Sequence, residues 1–182
     1  MNSQTKKKSG VKQCEKDEQG NVLSTEIQYT ISDKGCALTS VAMVMERYGY
    51  PTSNTPDKLN DIFIKDITGY DKKGRVKWYA PNVITGWQIK YVDNPSHHGD
   101  MEEGEIVQKS LMDEYLGKCM PAIVQVINPR TGNGHWVVVT GKSSSDYTVN
   151  DPDIANKDLK QLSKYGDIYN IRVYKNQKGG CQ

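Results

Sequence analysis

Gly35-Cys36-Ala37-Leu38-Thr39-Ser40-Val41-Ala42-Met43-Val44-Met45 reads as a turn glycine followed by a cysteine at the mouth of a helix. Leu38, Val41, Ala42, Met45 and Tyr48 recur at three- and four-residue spacing, so the helix predicted over Cys36 to Tyr48 carries one broad apolar face, and Gly49 stops it. Such a face needs a partner layer, and the C-terminal half supplies one. Pro121 to Ile127, His135 to Gly141, Asp146 to Asn150 and Ile168 to Tyr174 are short β-branched and aromatic runs, and Asn128-Pro129-Arg130-Thr131-Gly132-Asn133-Gly134 separates the first two as a hairpin loop. Helices first and an antiparallel sheet second predict an α+β fold, with the helix headed by Cys36 packed on the sheet and a cleft opening between the halves.

Other elements fall around this frame. A short extended piece, Glu26 to Ile31, leads into the turn Ser32-Asp33-Lys34-Gly35. Thr55 as cap and Pro56 at the first helical position start a second helix through Leu59, Ile62 and Phe63. Gly69 to Gly74 and the polar run Asn94 to Gly99 read as loops, and a third helix is expected from Glu103 to Leu116, burying Ile106, Leu111 and Leu116. Residues 1–25 read as a loosely ordered arm, 26–176 as one domain and 177–182 as a flexible tail. No internal repeat is present.

Composition excludes several function classes. A formal net charge of +2 gives no field that argues for nucleic acid or an anionic membrane, and Lys6-Lys7-Lys8 fits a solvated tail. No stretch reaches the eighteen or so apolar residues of a membrane span, and Met1 to Gly20 lacks the apolar centre of a signal peptide. A cytoplasmic protein, one exported by a non-classical route and a segment of a longer chain all fit. The four cysteines, Cys14, Cys36, Cys119 and Cys181, match no zinc spacing, so no metal and no cofactor is expected. Cys14 and Cys181 read as two surface thiols or, in an oxidising compartment, a pair; Cys119 reads as a small half-buried apolar residue.

Three residues carry the chemistry. Cys36 heads a helix, His135 heads an apolar strand, and Asp151 closes the strand Tyr147-Thr148-Val149-Asn150. Thiol, imidazole and carboxylate are the parts of a nucleophilic catalyst whose members meet in space rather than in sequence. A free thiol, with a pKa of about 8.5, is mostly protonated at neutral pH. A helix N-terminus favours the anion by roughly 0.3–1 kcal/mol, less than one pKa unit, so a nearby imidazole is the larger lever. Asp151 would then orient the ring and stabilise its charged form. Each residue also has a plain structural reading: a small buried cysteine, a satisfied core histidine, a turn-forming aspartate. The set, in this order, favours the catalytic one. His97 and His98 read as solvated loop side chains. Gln28, with Gln13 as rival, and the Cys36 backbone N–H are candidates for an oxyanion hole, and Trp136 reads as a cleft wall or a core residue.

Gly35-Cys36-x-x-Thr39-Ser40-x-Ala42-Met43, Pro56-x-x-Leu59-Asn60, Gly134-His135-Trp136-Val137-Val138 and Asn150-Asp151-Pro152 resemble papain-like cysteine peptidases of the family C-thirty-nine type, which includes the bacteriocin-leader (double-glycine) peptidases. The resemblance runs from about Gln28 to Pro152. It implies a papain-like fold and a bacterial or phage origin, with Cys36 as nucleophile, His135 as base and acid, Asp151 as orienting carboxylate and Gln28 as oxyanion donor. A thiol hydrolase acting on a peptide, a protein or peptidoglycan follows from it. Acyl transfer or deamidation on the same machinery, peptidoglycan cross-link cleavage, and a non-catalytic peptide-holding module are the alternatives.

Overall fold

The computed structural model describes residues 8–10, 15–16, 22–23, 28–31, 35–50, 55–65, 69–71, 74–92 and 109–179, with backbone alone for 8–10, 15–16, 22–23 and 28–30. Helix α1 spans Cys36–Arg47. It begins where the chain makes a close approach: the Gly35 N–H donates to the Ile31 carbonyl at 2.8 Å, and a Cβ on Gly35 would sit 2.2 Å from that oxygen. Only glycine fits there. Leu38, Val41, Ala42, Val44 and Met45 are buried, each large one contributing roughly 1.5–3 kcal/mol. Gly49 terminates the helix at φ 75°.

A five-stranded antiparallel sheet forms the other layer, in the order β5 (Ile89–Val92), β9 (Asn170–Asn176), β6 (Ala122–Ile127), β7 (Gly134–Ser143), β8 (Asp146–Asn150). In the N-terminal part, β1 (Lys8–Gly10) pairs with β4 (Gln28–Thr30), and β2 (Glu15–Lys16) with β3 (Val22–Leu23). Both faces of the large sheet are covered. Ala122, Val124 and Val126 pack with helix α4 (Leu111–Gly117) and the segment after β8. Ile123, between them, packs instead with α1 and with α2 (Pro56–Lys65) and α3 (Ala80–Ile84). That is why β6 is an apolar run rather than an alternating one.

Two hydrogen bonds fix α1 on the sheet. Ser40 Oγ donates to the Trp136 carbonyl at 3.2 Å on β7, and Tyr48 Oη donates to the Tyr174 carbonyl at 2.7 Å on β9. The helix therefore cannot slide along the strand that carries His135 without breaking them.

Several expectations need correction. In α4 the buried side chains are Met112 and Tyr115, while Leu111 and Leu116 only pack partly against that core; Ile106 and the rest of 103–108 lie outside the described residues. Helix α3 and strand β5 went unpredicted. Five and four residues respectively give too short a stretch for periodicity to register. Cys119 is disulfide-bonded rather than an apolar filler, whereas Cys36 carries a free thiol. Cys14 and Cys181 lie outside the described residues, so the expected choice between two surface thiols and a pair falls there.

Candidate active site

Gly35, Cys36 and Thr39 from the start of α1 face Asn128, Thr131 and Asn133 of the β6–β7 loop, Gly134 and His135 of β7, and Pro152 and Asp153 after β8, across a cleft of about 190 Å³. Three parts of the chain far apart in sequence meet here because α1 lies along β7, and β7 pairs with β6 on one side and β8 on the other. No side chain caps α1. Its first N–H groups are thus unsatisfied within the helix, at the end that lines the cleft.

His135 Nε2 donates to Asp151 Oδ1 at 2.8 Å, with both side chains almost wholly buried. Cys36 lines the same cleft as the ring, close enough for its sulfur to act on the ring's acidity. Burial pushes the His135 pKa down, but the Asp151 hydrogen bond and the influence of Asp151 and Cys36 as anions outweigh it and hold the pKa up at about 9. Burial likewise pushes Asp151 upward, and the His135, Tyr165 and Asp153 N–H bonds more than reverse it, leaving its carboxyl below the ordinary value. Ring and carboxylate thus carry opposite charges through neutral pH.

The structure brings Cys36, His135 and Asp151 together. Gln28 belongs to β4, where only backbone is described, and Gln13, His97 and His98 lie outside the described residues. Trp136 is not part of the cleft. It packs on Trp78, ring centroids 4.7 Å apart, with the Arg172 guanidinium against both rings. Sequence reasoning missed Tyr165 and Asn156, which both donate to Asp151 Oδ2, at 2.5 and 3.0 Å. They sit in two short 3-10 turns, Leu162–Tyr165 and Ile154–Asn156, which have no periodic signature. Among the described residues no cluster of His, Cys, Asp or Glu has the make-up of a metal site.

A thiol against an imidazole that is itself held by a carboxylate is equipped for nucleophilic attack and proton transfer at a carbonyl. The Peptidase_C39 like family model matches residues 21–179. The chain belongs to that family. Membership covers nearly the whole molecule and accords with helices packed on an antiparallel sheet, and it makes this a protein of cysteine-peptidase kind. No curated protein and no solved structure matches the chain. Among the described residues no helix of this family member is long and apolar enough to cross a membrane.

Proposed function

We infer that this protein hydrolyses a peptide or related amide bond through an acyl-enzyme on Cys36, with His135 as proton carrier, Asp151 as the carboxylate that orients it, and residues 26–176 as the working domain. The observation that carries the reading is the His135 ring, hydrogen-bonded to Asp151 at 2.8 Å and lining one cleft with the Cys36 thiol. An imidazolium beside a thiol favours the thiolate. That sulfur attacks the scissile carbonyl carbon, and the developing oxyanion is received by the backbone N–H at the head of α1 and by Gln28. The C–N bond breaks as His135 gives its proton to the leaving amine.

The same geometry accounts for the second half. Part of what raises the His135 pKa comes from Cys36. Once the sulfur is acylated that part is gone, the ring holds a proton less tightly, and it takes one from the water that attacks the thioester. Carboxylic acid leaves and the thiolate–imidazolium pair returns. The substrate is a peptide, a protein or the peptide part of peptidoglycan. A disulfide at Cys119 persists best in an oxidising compartment, which supports placing the enzyme outside a reducing cytosol.

Iodoacetamide labelling of the native protein followed by peptide mapping tests the nucleophile: Cys36 should react selectively, and labelling no faster than in the unfolded chain would overturn the assignment. Incubation with peptide pools, cell wall and glutamine-rich proteins, read by mass, then separates chain cleavage from loss of ammonia.

A further inference from the structure

We propose that Tyr165 is a positioning residue of this site, the outer member of a hydrogen-bonded relay Tyr165–Asp151–His135 beside Cys36 that holds the carboxylate in the one orientation able to grip the ring. The proposal rests on the thiol-hydrolase reading for its meaning. A carboxylate offers about four acceptor positions, and in Asp151 all are taken. Oδ1 accepts from His135 Nε2 at 2.8 Å and from the Asp153 N–H at 2.6 Å. Oδ2 accepts from Tyr165 Oη at 2.5 Å and from Asn156 Nδ2 at 3.0 Å. The phenol makes the shortest of the four, within the range of charge-assisted O–H···O bonds.

The phenol is built to keep that bond. Tyr165 is 4 % exposed, and it ends a 3-10 turn anchored by the fully buried Leu162. Burial first, and then the Asp151 bond, raise its pKa far above the ordinary tyrosine value. It therefore stays a neutral donor wherever the protein is folded. Asn156 alone has less hold on Oδ2, since its own Oδ1 is buried without a partner. Without the phenol the carboxylate gains freedom to turn about its Cβ–Cγ bond, and each turn loosens its grip on His135.

The groups facing His135 among the described residues are few enough for a clean reading. Cys36 faces it from α1, Asp151 and Asp153 from the segment after β8, and the β6–β7 loop contributes only the uncharged Asn128, Thr131 and Asn133. A change in the grip of Asp151 thus shows directly in the titration of the ring.

The test is Tyr165→Phe, which keeps the ring and removes the donor. Expected are a fall in kcat of roughly tenfold with KM unchanged, the size a charge-assisted bond supports, and a His135 pKa about one unit lower by NMR. The rate of Cys36 alkylation at neutral pH should fall with it. With three histidines in the chain, the resonance is readily assigned. Leu162→Ala, which loosens the same turn without removing the bond, should cost stability and leave the His135 pKa in place. A His135 pKa unmoved or raised in Tyr165→Phe overturns the proposal, as does an equal drop in Leu162→Ala. Should Tyr165→Phe not fold, Asn156→Ser, which removes the weaker donor from the same oxygen, should lower the His135 pKa by a smaller amount in the same direction, and no shift or a rise would overturn the proposal. NMR and alkylation need no substrate, so a protein that cleaves nothing would sink the hydrolase reading and leave the relay decided by these two measurements.

Discussion

The two ends of α1 each carry a cavity and a cysteine, and they differ in everything else. At the N-terminal end, Cys36 is a free thiol in a cleft of about 190 Å³ beside His135. At the other end, Tyr48 lines a cavity of about 660 Å³ together with Cys119, Met120, Lys175 and Gly179. The helix puts roughly 18 Å between them. Cys119 is disulfide-bonded, in a left-handed backbone conformation with φ 60°. Among the described residues, none that lines the larger space carries an imidazole or a carboxylate. Under the proposed function, reactivity should therefore follow the groups around a sulfur, not the room around it.

The sharpest way to break this contrast is to remove each sulfur in turn. Cys36→Ala should lower hydrolysis by on the order of 10³-fold or more, because the residues of such a unit act together. Cys119→Ser should leave kcat and KM within about twofold of wild type, since the sulfur lies at the far end of α1 from the Cys36 cleft. Steady-state kinetics on whatever substrate the mass screen yields decides both. Comparable losses in the two variants would mean that the ends of α1 are not chemically distinct.

Stability should reverse the ranking. Opening the Cys119 disulfide, by mutation or by reductant, should cost about 2–4 kcal/mol, chiefly by freeing the unfolded chain. Urea unfolding with and without reductant measures it. Cys36→Ala, at a half-buried helix start, should cost far less. A reductant-independent midpoint would deny the disulfide any structural part.

The sequence made the chemistry at the Cys36 end legible and the Cys119 end opaque, for a physical reason. Cys36, His135 and Asp151 each sit at a boundary where a periodic element starts or stops, and periodicity is what sequence reading detects. The helix from Cys36, the Thr55 cap, whose Oγ1 accepts from the Lys58 N–H at 3.3 Å, and four of the five strands of the main sheet were visible on that basis. Cys119 lies in a turn between α4 and β6, so nothing periodic around it announces the bond. Tyr165 was hidden likewise: it is fourteen residues from Asp151 in a 3-10 turn that pattern reading passes over. Helix α4 misled because Leu111 and Leu116 are more apolar than Met112 and Tyr115, yet the latter pair faces the sheet.

Acidity separates the two ends more finely. His135 has its pKa raised from 6.5 to about 9, so its contribution to stability is complete below pH 6.5 and fades as pH rises through 9. Asp151 has its pKa lowered from 3.8, so its contribution is complete above that value and is lost as pH falls through the lowered one. Both describe one ion pair and count once. Stability from this source should form a plateau between about pH 4 and 6.5 and decline by on the order of 2 kcal/mol toward pH 10, a decline absent from His135→Ala. The deficit of Cys119→Ser, resting on a group that does not titrate, should be the same across that range.

The smallest effect is expected where the structure looks most like a clasp. Arg130 Nη2 donates to both carboxylate oxygens of Asp158, at 2.8 and 2.9 Å, tying the β6–β7 loop to the segment after β8, two walls of the same cleft. Both side chains are about half exposed, at 47 % and 63 %. Water and salt therefore screen the pair, and ordering two long side chains offsets most of the gain. The β6–β7 loop also has internal bonds of its own: the Asn128 N–H donates to the Asn133 carbonyl at 2.8 Å, and the Asn128 side chain accepts from the Arg130 N–H at 2.9 Å. Arg130→Gln should accordingly leave the unfolding midpoint close to that of wild type and shift KM by less than about threefold. A KM change well beyond that, with stability unmoved, would give the clasp a part in shaping the cleft that its exposure argues against.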